Sequence, residues 1–230
     1  MKIGALQKFS LIEYPEKISA IVFTQGCNFR CGYCHNPELV DEKLFMDVIP
    51  EEEILSFLEN RKGKLDAVVI TGGEPLIQED IESFIKKIKD IGYLVKLDTN
   101  GSFPEKLKNL TNKKFVDYIA MDIKAPLEKY ELITKVKINK EKILHSIEII
   151  MNSDINYEFR TTIVKSQLSR EDILKIGKLI KGAKLYALQK FIVSKHLDKR
   201  FFNESTYKDS ILNELKDELE AKYVKKCIVR

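Results

Sequence analysis

The sequence contains no tryptophan, six prolines, ten glycines and four cysteines in 230 residues. No linker rich in proline, glycine or serine interrupts it, and no low-complexity tract is present. One domain over residues 1–230 is therefore expected, with a core over about 18–190 and a C-terminal helix and strand over 207–230. Apolar runs are short, such as Ala67 to Ile70, and the opening MKIGALQKFS lacks the long apolar stretch of a signal peptide or a membrane span. A cytoplasmic protein without a membrane partner is the expectation. Neither sign of charge dominates, with Lys+Arg 39 against Asp+Glu 35 and a formal net charge of +4. That balance is below what a dedicated nucleic-acid module carries, so no nucleic-acid partner is expected.

What is present is a concentration of thiols. Cys27, Cys31 and Cys34 fall within eight residues, and Cys227 stands alone near the end. A disulfide framework would need an oxidising compartment and would leave an odd thiol in this loop. A thioredoxin-like pair Cys31-x-x-Cys34 has no use for Cys27. A structural zinc site wants four ligands in two spaced pairs, and no second pair follows. An incomplete thiolate set suits iron and sulfur better. A cubane cluster takes one cysteine per iron, so three cysteines leave one iron open for chemistry.

Around the cysteines, apolar runs rich in β-branched residues alternate with amphipathic stretches. Strands are expected at Ile18–Thr24, Ala67–Thr71, Tyr93–Thr99, Val116–Ile123, Asn156–Val164 and Ala183–Gln189, with a further one over Tyr223–Val229. Helices are expected after Pro50, over Glu79–Ile91, near Glu105–Leu110, from an Asn139 N-cap, behind Ser169-x-x-Asp172, and around Ile211–Leu219. Repeated βα units leave a doubly wound sheet or an open barrel. The polar motifs follow the C-terminal ends of strands, which favours the barrel, because loops there converge on one mouth.

Three such motifs stand out. Gly72-Gly73-Glu74-Pro75 follows a buried strand, and paired glycines let a ligand approach bare backbone. Asp98-Thr99-Asn100-Gly101 ends the next strand. In Met121-Asp122-Ile123-Lys124, Asp122 and Lys124 share a face and can pair or share a ligand. Farther on, Arg160 shares a face with Glu158 and Thr162 and needs a partner if it points inward. The plain readings of these residues are turns, caps and rim ion pairs.

The context TQGCNFRCGYCHNP, with aromatic Tyr33 before the last cysteine, resembles the radical S-adenosylmethionine enzymes. The longer stretch FSLIEYPEKISAIVFTQGCNFRCGYCHNPEL is similar to activating enzymes of glycyl-radical enzymes, above all the activator of anaerobic ribonucleoside-triphosphate reductase. The resemblance implies an α/β fold, a partial (open) (β/α)6 TIM-type barrel with its site at the C-terminal strand ends. It implies a 4Fe-4S cluster on Cys27, Cys31 and Cys34, and S-adenosyl-L-methionine held by Tyr33, Cys34, His35, Gly72, Gly73, Glu74, Asp98, Asp122, Lys124 and Arg160. The side chains His35 and Asn36 would tune the cluster. A monovalent cation on Asp98, Thr99 and Asp122, and a substrate-peptide contact at Glu13, are implied as well. No catalytic residue is expected beyond the cluster and its cofactor. The partners implied are a glycyl-radical enzyme as protein substrate and a flavodoxin or ferredoxin as electron donor. The strand end Leu188-Gln189-Lys190-Phe191 lacks the histidine of pyruvate formate-lyase activators, which favours the reductase-activator branch. A radical enzyme acting on a small molecule, like 7-carboxy-7-deazaguanine synthase, and a non-enzymatic zinc or redox module remain as alternatives. Glu16 reads as surface charge, His145 as structural, His196 as one residue of a charged stretch, and Cys227 as a buried bystander.

Overall fold

A computed structural model describes residues 1–230. Eight strands form one sheet whose spatial order is the chain order, β1 to β8. They are β1 (Ile3–Tyr14), β2 (Lys17–Thr24), β3 (Ala67–Gly72), β4 (Leu94–Thr99), β5 (Tyr118–Asp122), β6 (Asn156–Ile163), β7 (Tyr186–Lys190) and β8 (Cys227–Val229). Only β1 and β2 pair antiparallel; every later neighbour is parallel. The first and last strands are not paired with each other, so the sheet is an open barrel.

The six expected strands are β2 to β7, and the terminal one is β8. The count of six needs correction at the front, where β1 adds a strand that the apolar pattern did not reveal. Its pairing with β2 shifts register at three places, between Ile3 and Ala5, Gln7 and Ser10, and Ser10 and Tyr14. Each irregularity breaks the two-residue alternation by which a strand is read from sequence.

The helices are α1 (Glu51–Asn60), α2 (Ile81–Ile91), α3 (Pro104–Asn112), α4 (Tyr130–Thr134), α5 (Lys140–Asn152), α6 (Arg170–Leu179) and α7 (Asp209–Lys222). Asn139 caps α5 by accepting from the Glu141 N–H, and Ser169 and Asp172 form a complete capping box on α6. Such caps contribute about 1 kcal/mol each. Only α4, one turn long, was not anticipated. No helix is long and apolar enough to cross a membrane.

Alternation along the parallel strands sets up two different faces. Val68, Ile70, Val95, Leu97, Ile119, Met121 and Phe159 are fully buried in one core with Phe84, Ile85 and Ile88 of α2 and Leu107 of α3. Each such side chain contributes roughly 1.5–3 kcal/mol by leaving water. On the other side, Tyr14, Ile21, Ala67, Val69 and Tyr118 form a smaller separate cluster. Lys96, Asp98, Glu158 and Arg160, also buried, lie among the alternate residues of β4 and β6. Charge there is the feature that positions the site.

Candidate functional site

The cysteine loop leaves β2 at Thr24 and is tied down by backbone hydrogen bonds from several directions. Gly26 N donates to Leu39 O, Arg30 N to Thr134 O of α4, and Cys34 N to Cys31 O. From the segment after β7, Leu197 N donates to Cys34 O and Asp198 N to Gly32 O. All four cysteines are free thiols; Cys31 is buried, while Cys27 and Cys34 are half-buried. Burial pushes the Cys27 thiol up to about 12 and Cys31 to about 11, and it raises Cys34 as well. The Lys124 ammonium opposes that rise at all three sulfurs. An occupant that binds thiolates must therefore displace protons, as soft metal centres do.

Beside this loop, the end of β3 makes the closest backbone approach in the site. Gly72 has φ +121°, and a Cβ there would lie 2.4 Å from both the N and the O of Thr24. A Cβ on Gly73 would lie 2.0 Å from Gly26 O. The glycine pair thus lets the end of β3 pack directly on the end of β2 and the start of the cysteine loop, while both glycines still line the cavity beside it. Glu74, next in the chain, is bonded within the protein. Its carboxylate is fully buried and accepts from Leu76 N (3.1 Å), Thr99 Oγ1 (2.8 Å) and Asn100 N (2.6 Å). Burial raises its pKa to about 7 despite those three donors. Glu74 joins the β3 and β4 loops and does not line the cavity.

The ends of β4, β5 and β6 carry a chain of ion pairs. Lys96 Nζ lies 2.7 Å from Asp98 Oδ1, and Arg160 Nη1 donates to Asp98 Oδ2 at 3.0 Å. Arg160 Nε donates to Asp122 Oδ1 (2.8 Å), and Lys124 Nζ to Asp122 Oδ2 (3.0 Å). Burial is the largest single influence and pushes both carboxyls up, but Arg160 together with Lys96 at Asp98, and with Lys124 at Asp122, outweighs it and holds both below the usual range. For Arg160, the two aspartates outweigh the desolvation that lowers its pKa and raise it. Its partners are Asp98 and Asp122; Glu158 instead makes a two-point pair with Arg230 (3.0 and 2.6 Å). Lys96, only 2% exposed, was missed in the sequence. Its signal was available, since Lys96 and Asp98 are two apart on a strand.

The two carboxylates expected to hold a monovalent cation are paired with basic side chains in this structure. The oxygens of Asp98 and Asp122 are engaged by three basic side chains, and Thr99 Oγ1 donates to Glu74. Glu13 is misplaced. It sits beside Tyr14, which pairs with Lys17 where β2 begins. The cysteine mouth lies at the far end of that eight-residue strand, about 25 Å away.

The remaining expectations converge. One cavity of about 190 Å³ is lined by Cys27, Cys31, Tyr33, Cys34, His35, Gly72, Gly73, Asp98, Asp122, Lys124 and Arg160, with Asn36, Thr99 and Asn100 beside them. Within it, the Tyr33 hydroxyl is buried and has no hydrogen-bond partner. His196, read as one of a charged stretch, is buried instead. It stacks on Phe191 at 4.9 Å and packs 5.0 Å from His35, whose Nδ1 meets Ser194 Oγ at 2.8 Å. Burial and His196 lower the His35 pKa. Cys227 is fully buried and remote from the site. Three soft sulfur donors, two amino-acid-sized charges of each sign and an orphan hydroxyl in one cavity fit an iron–sulfur cluster together with a charged small molecule.

Comparison with known proteins agrees. The chain is 35% identical to a protein of Methanocaldococcus jannaschii named as a candidate glycyl-radical enzyme activating enzyme, over 99% of this chain and 95% of that one. It is 30% identical to the pyruvate formate-lyase-activating enzyme of Clostridium pasteurianum, over 79% of this chain and 76% of that one. Among solved structures, SuiB of Streptococcus suis superposes with a TM-score of 0.71 at 14% identity, over 91% of this chain and about half (48%) of the SuiB chain. The model of the Radical SAM superfamily matches residues 21–180. The protein therefore belongs to the radical S-adenosylmethionine superfamily, whose enzymes work with a 4Fe-4S cluster and S-adenosylmethionine.

Proposed function

We propose that this protein activates a glycyl-radical enzyme, and that the partner is an anaerobic ribonucleotide reductase. The observation that carries the reading is one cavity lined by Cys27, Cys31 and Cys34 together with Lys124, Asp122 and Arg160, in a chain that matches an activating-enzyme relative along nearly its whole length. The three thiolates would hold three irons of a 4Fe-4S cluster. S-adenosylmethionine would lie against Tyr33, His35, Gly72 and Gly73, with Lys124 and Arg160 as the cationic side chains available to its carboxylate. When bound and reduced by a flavodoxin- or ferredoxin-type donor, this pair supplies a carbon-centred radical able to remove the α-hydrogen of a glycine in the partner.

The protein's own residues set up that chemistry. Lys124 offsets part of the cost of holding buried thiolates. Arg160, fixed by two aspartates, presents a cation whose geometry is set before a ligand arrives, which lowers the ordering cost of binding. The segment after β7 covers the cysteine loop through two backbone hydrogen bonds and the Phe191, His196 and Phe201 rings, keeping water from the Tyr33 side. The rim suits a protein substrate. Of ten exposed large apolar side chains, seven (Leu44, Met46, Val48, Leu132, Ile192, Val193 and Phe202) follow the C-terminal ends of strands, where a partner would arrive.

The test is anaerobic reconstitution followed by electron paramagnetic resonance with an anaerobic ribonucleotide reductase present. A carbon-centred doublet on the partner is expected. Release of 5′-deoxyadenosine that depends on a small-molecule substrate, with no protein radical, would move the protein to another branch of the superfamily. Zinc bound without sulfide would end the radical reading.

A further inference from the structure

Asn28, Asn100 and Ser102 close a hydrogen-bonded ring at the edge of the cavity. Asn100 Nδ2 donates to Asn28 Oδ1 (2.9 Å), Asn28 Nδ2 donates to Ser102 Oγ (2.9 Å), and Ser102 Oγ donates to Asn100 Oδ1 (2.5 Å). Ser102 N also donates to Asn100 Oδ1 (3.0 Å), which fixes the orientation of the amide, because a flipped Asn100 would set its NH2 against a backbone N–H. With Asn100 fixed, Asn28 has only one orientation that accepts from it. All donors run the same way round, the arrangement in which neighbouring hydrogen bonds polarise one another.

The ring is moored from below and reaches the sulfur above. Asn100 N donates to the buried Glu74 carboxylate, and Ser146 Oγ on α5 donates to Gly101 O (2.7 Å). Asn28 follows Cys27 directly, and Asn100 Nδ2 stands 4.0 Å from Cys27 Sγ, the outer limit of an N–H···S contact. Phe29 N approaches the same sulfur at 3.4 Å. Asn100 is 5% exposed and Cys27 half-buried, so this contact lies where solvent competes little.

We propose that the Asn28–Asn100–Ser102 ring is a positioning device that fixes the Cys27 arm of the cysteine loop and sets the reduction potential of the cluster held there. The inference rests on the reading of Cys27 as a cluster ligand. A donor aimed at a ligating sulfur stabilises the more reduced, more negative state, so breaking the ring shifts the potential negative. Loosening the arm also exposes its iron to competitors.

Ser102→Ala opens the ring without touching the sulfur, Asn100→Ala removes both the ring and the N–H···S contact, and Ser102→Thr restores the hydroxyl. Each variant is reconstituted with iron and sulfide. Its potential is then read by redox titration followed by electron paramagnetic resonance, and its cluster loss is timed in excess chelator. Ser102→Ala and Asn100→Ala are expected to lose iron on the order of 10-fold faster than the parent and to titrate at a more negative potential, with Asn100→Ala shifted further and Ser102→Thr close to the parent. Folded Ser102→Ala protein with the parent's potential and rate overturns the proposal, whether or not Asn100→Ala folds. A parent protein that binds no iron and sulfide overturns the ligand assignment instead, and is recognised before any variant is compared.

Discussion

Replacing Arg160 by methionine tests the electrostatic design of the barrel interior most directly. Methionine keeps much of the side-chain volume, so the packing term stays small. What is lost is the one cation shared by two buried carboxylates: Asp98 keeps Lys96, and Asp122 keeps Lys124. Removing one partner of a buried pair costs about 3–5 kcal/mol, because a desolvated charge remains behind. With a urea m-value of about 2–3 kcal/mol per molar, the unfolding midpoint should fall by about 1–2 M at pH 7. The loss should also depend on pH with a defined sign. Asp98 and Asp122 have folded pKa values below their unfolded ones, so their stabilisation is fully present above about pH 4 and fades as the pH falls through the depressed values. The gap between parent and variant should therefore be constant from pH 7 to about 4.5 and narrow toward pH 3. Equilibrium urea titrations at pH 7, 5 and 3 measure this. A variant as stable as the parent at pH 7, or a gap that does not narrow in acid, would refute the claim that Arg160 holds the two strand ends together through charge.

Three further outcomes are expected. Gly73→Ala forces a Cβ into Gly26 O, so the β3 turn or the cysteine loop must move; a loss of about 1–3 kcal/mol and poor iron loading should appear together, and normal loading would show that the two segments are not in contact. Lys124→Ala should still load iron through the three cysteines but bind S-adenosylmethionine on the order of 10-fold more weakly, as removal of one charge-assisted hydrogen bond implies, and unchanged affinity in a titration would take Lys124 out of the site. In the metal-free protein, thiols raised to about 12 and 11 by burial should react with iodoacetamide at pH 8 at least about 100-fold slower than free cysteine, and rapid labelling at Cys27 or Cys31 would contradict their environment.

Much of the site was legible because radical chemistry of this kind leaves marks that are local in sequence. Three cysteines on one short loop stand out by spacing, while the glycines at the next strand end and the Asp122 and Lys124 pair where β5 ends gain a role from the family resemblance. The residues that the sequence leaves undecided are those whose partners are distant. Glu74 stands in a strand-end motif in the sequence, and its carboxylate is bonded by Thr99 and Asn100, 25 and 26 residues away. His196 sits among charged neighbours in the chain but among aromatic rings in space.

The amino-acid pattern by itself determined the order of βα units, the α5 and α6 caps and the thiol cluster, because periodicity, capping and metal-ligand spacing operate over a few residues. Only the tertiary structure decided that Asp98 and Asp122 share Arg160, that Glu13 lies at the end of the sheet away from the cysteine loop, and that β1 pairs at all. Those outcomes depend on strand register and on which buried charges meet, and both are set by contacts between residues far apart in the chain.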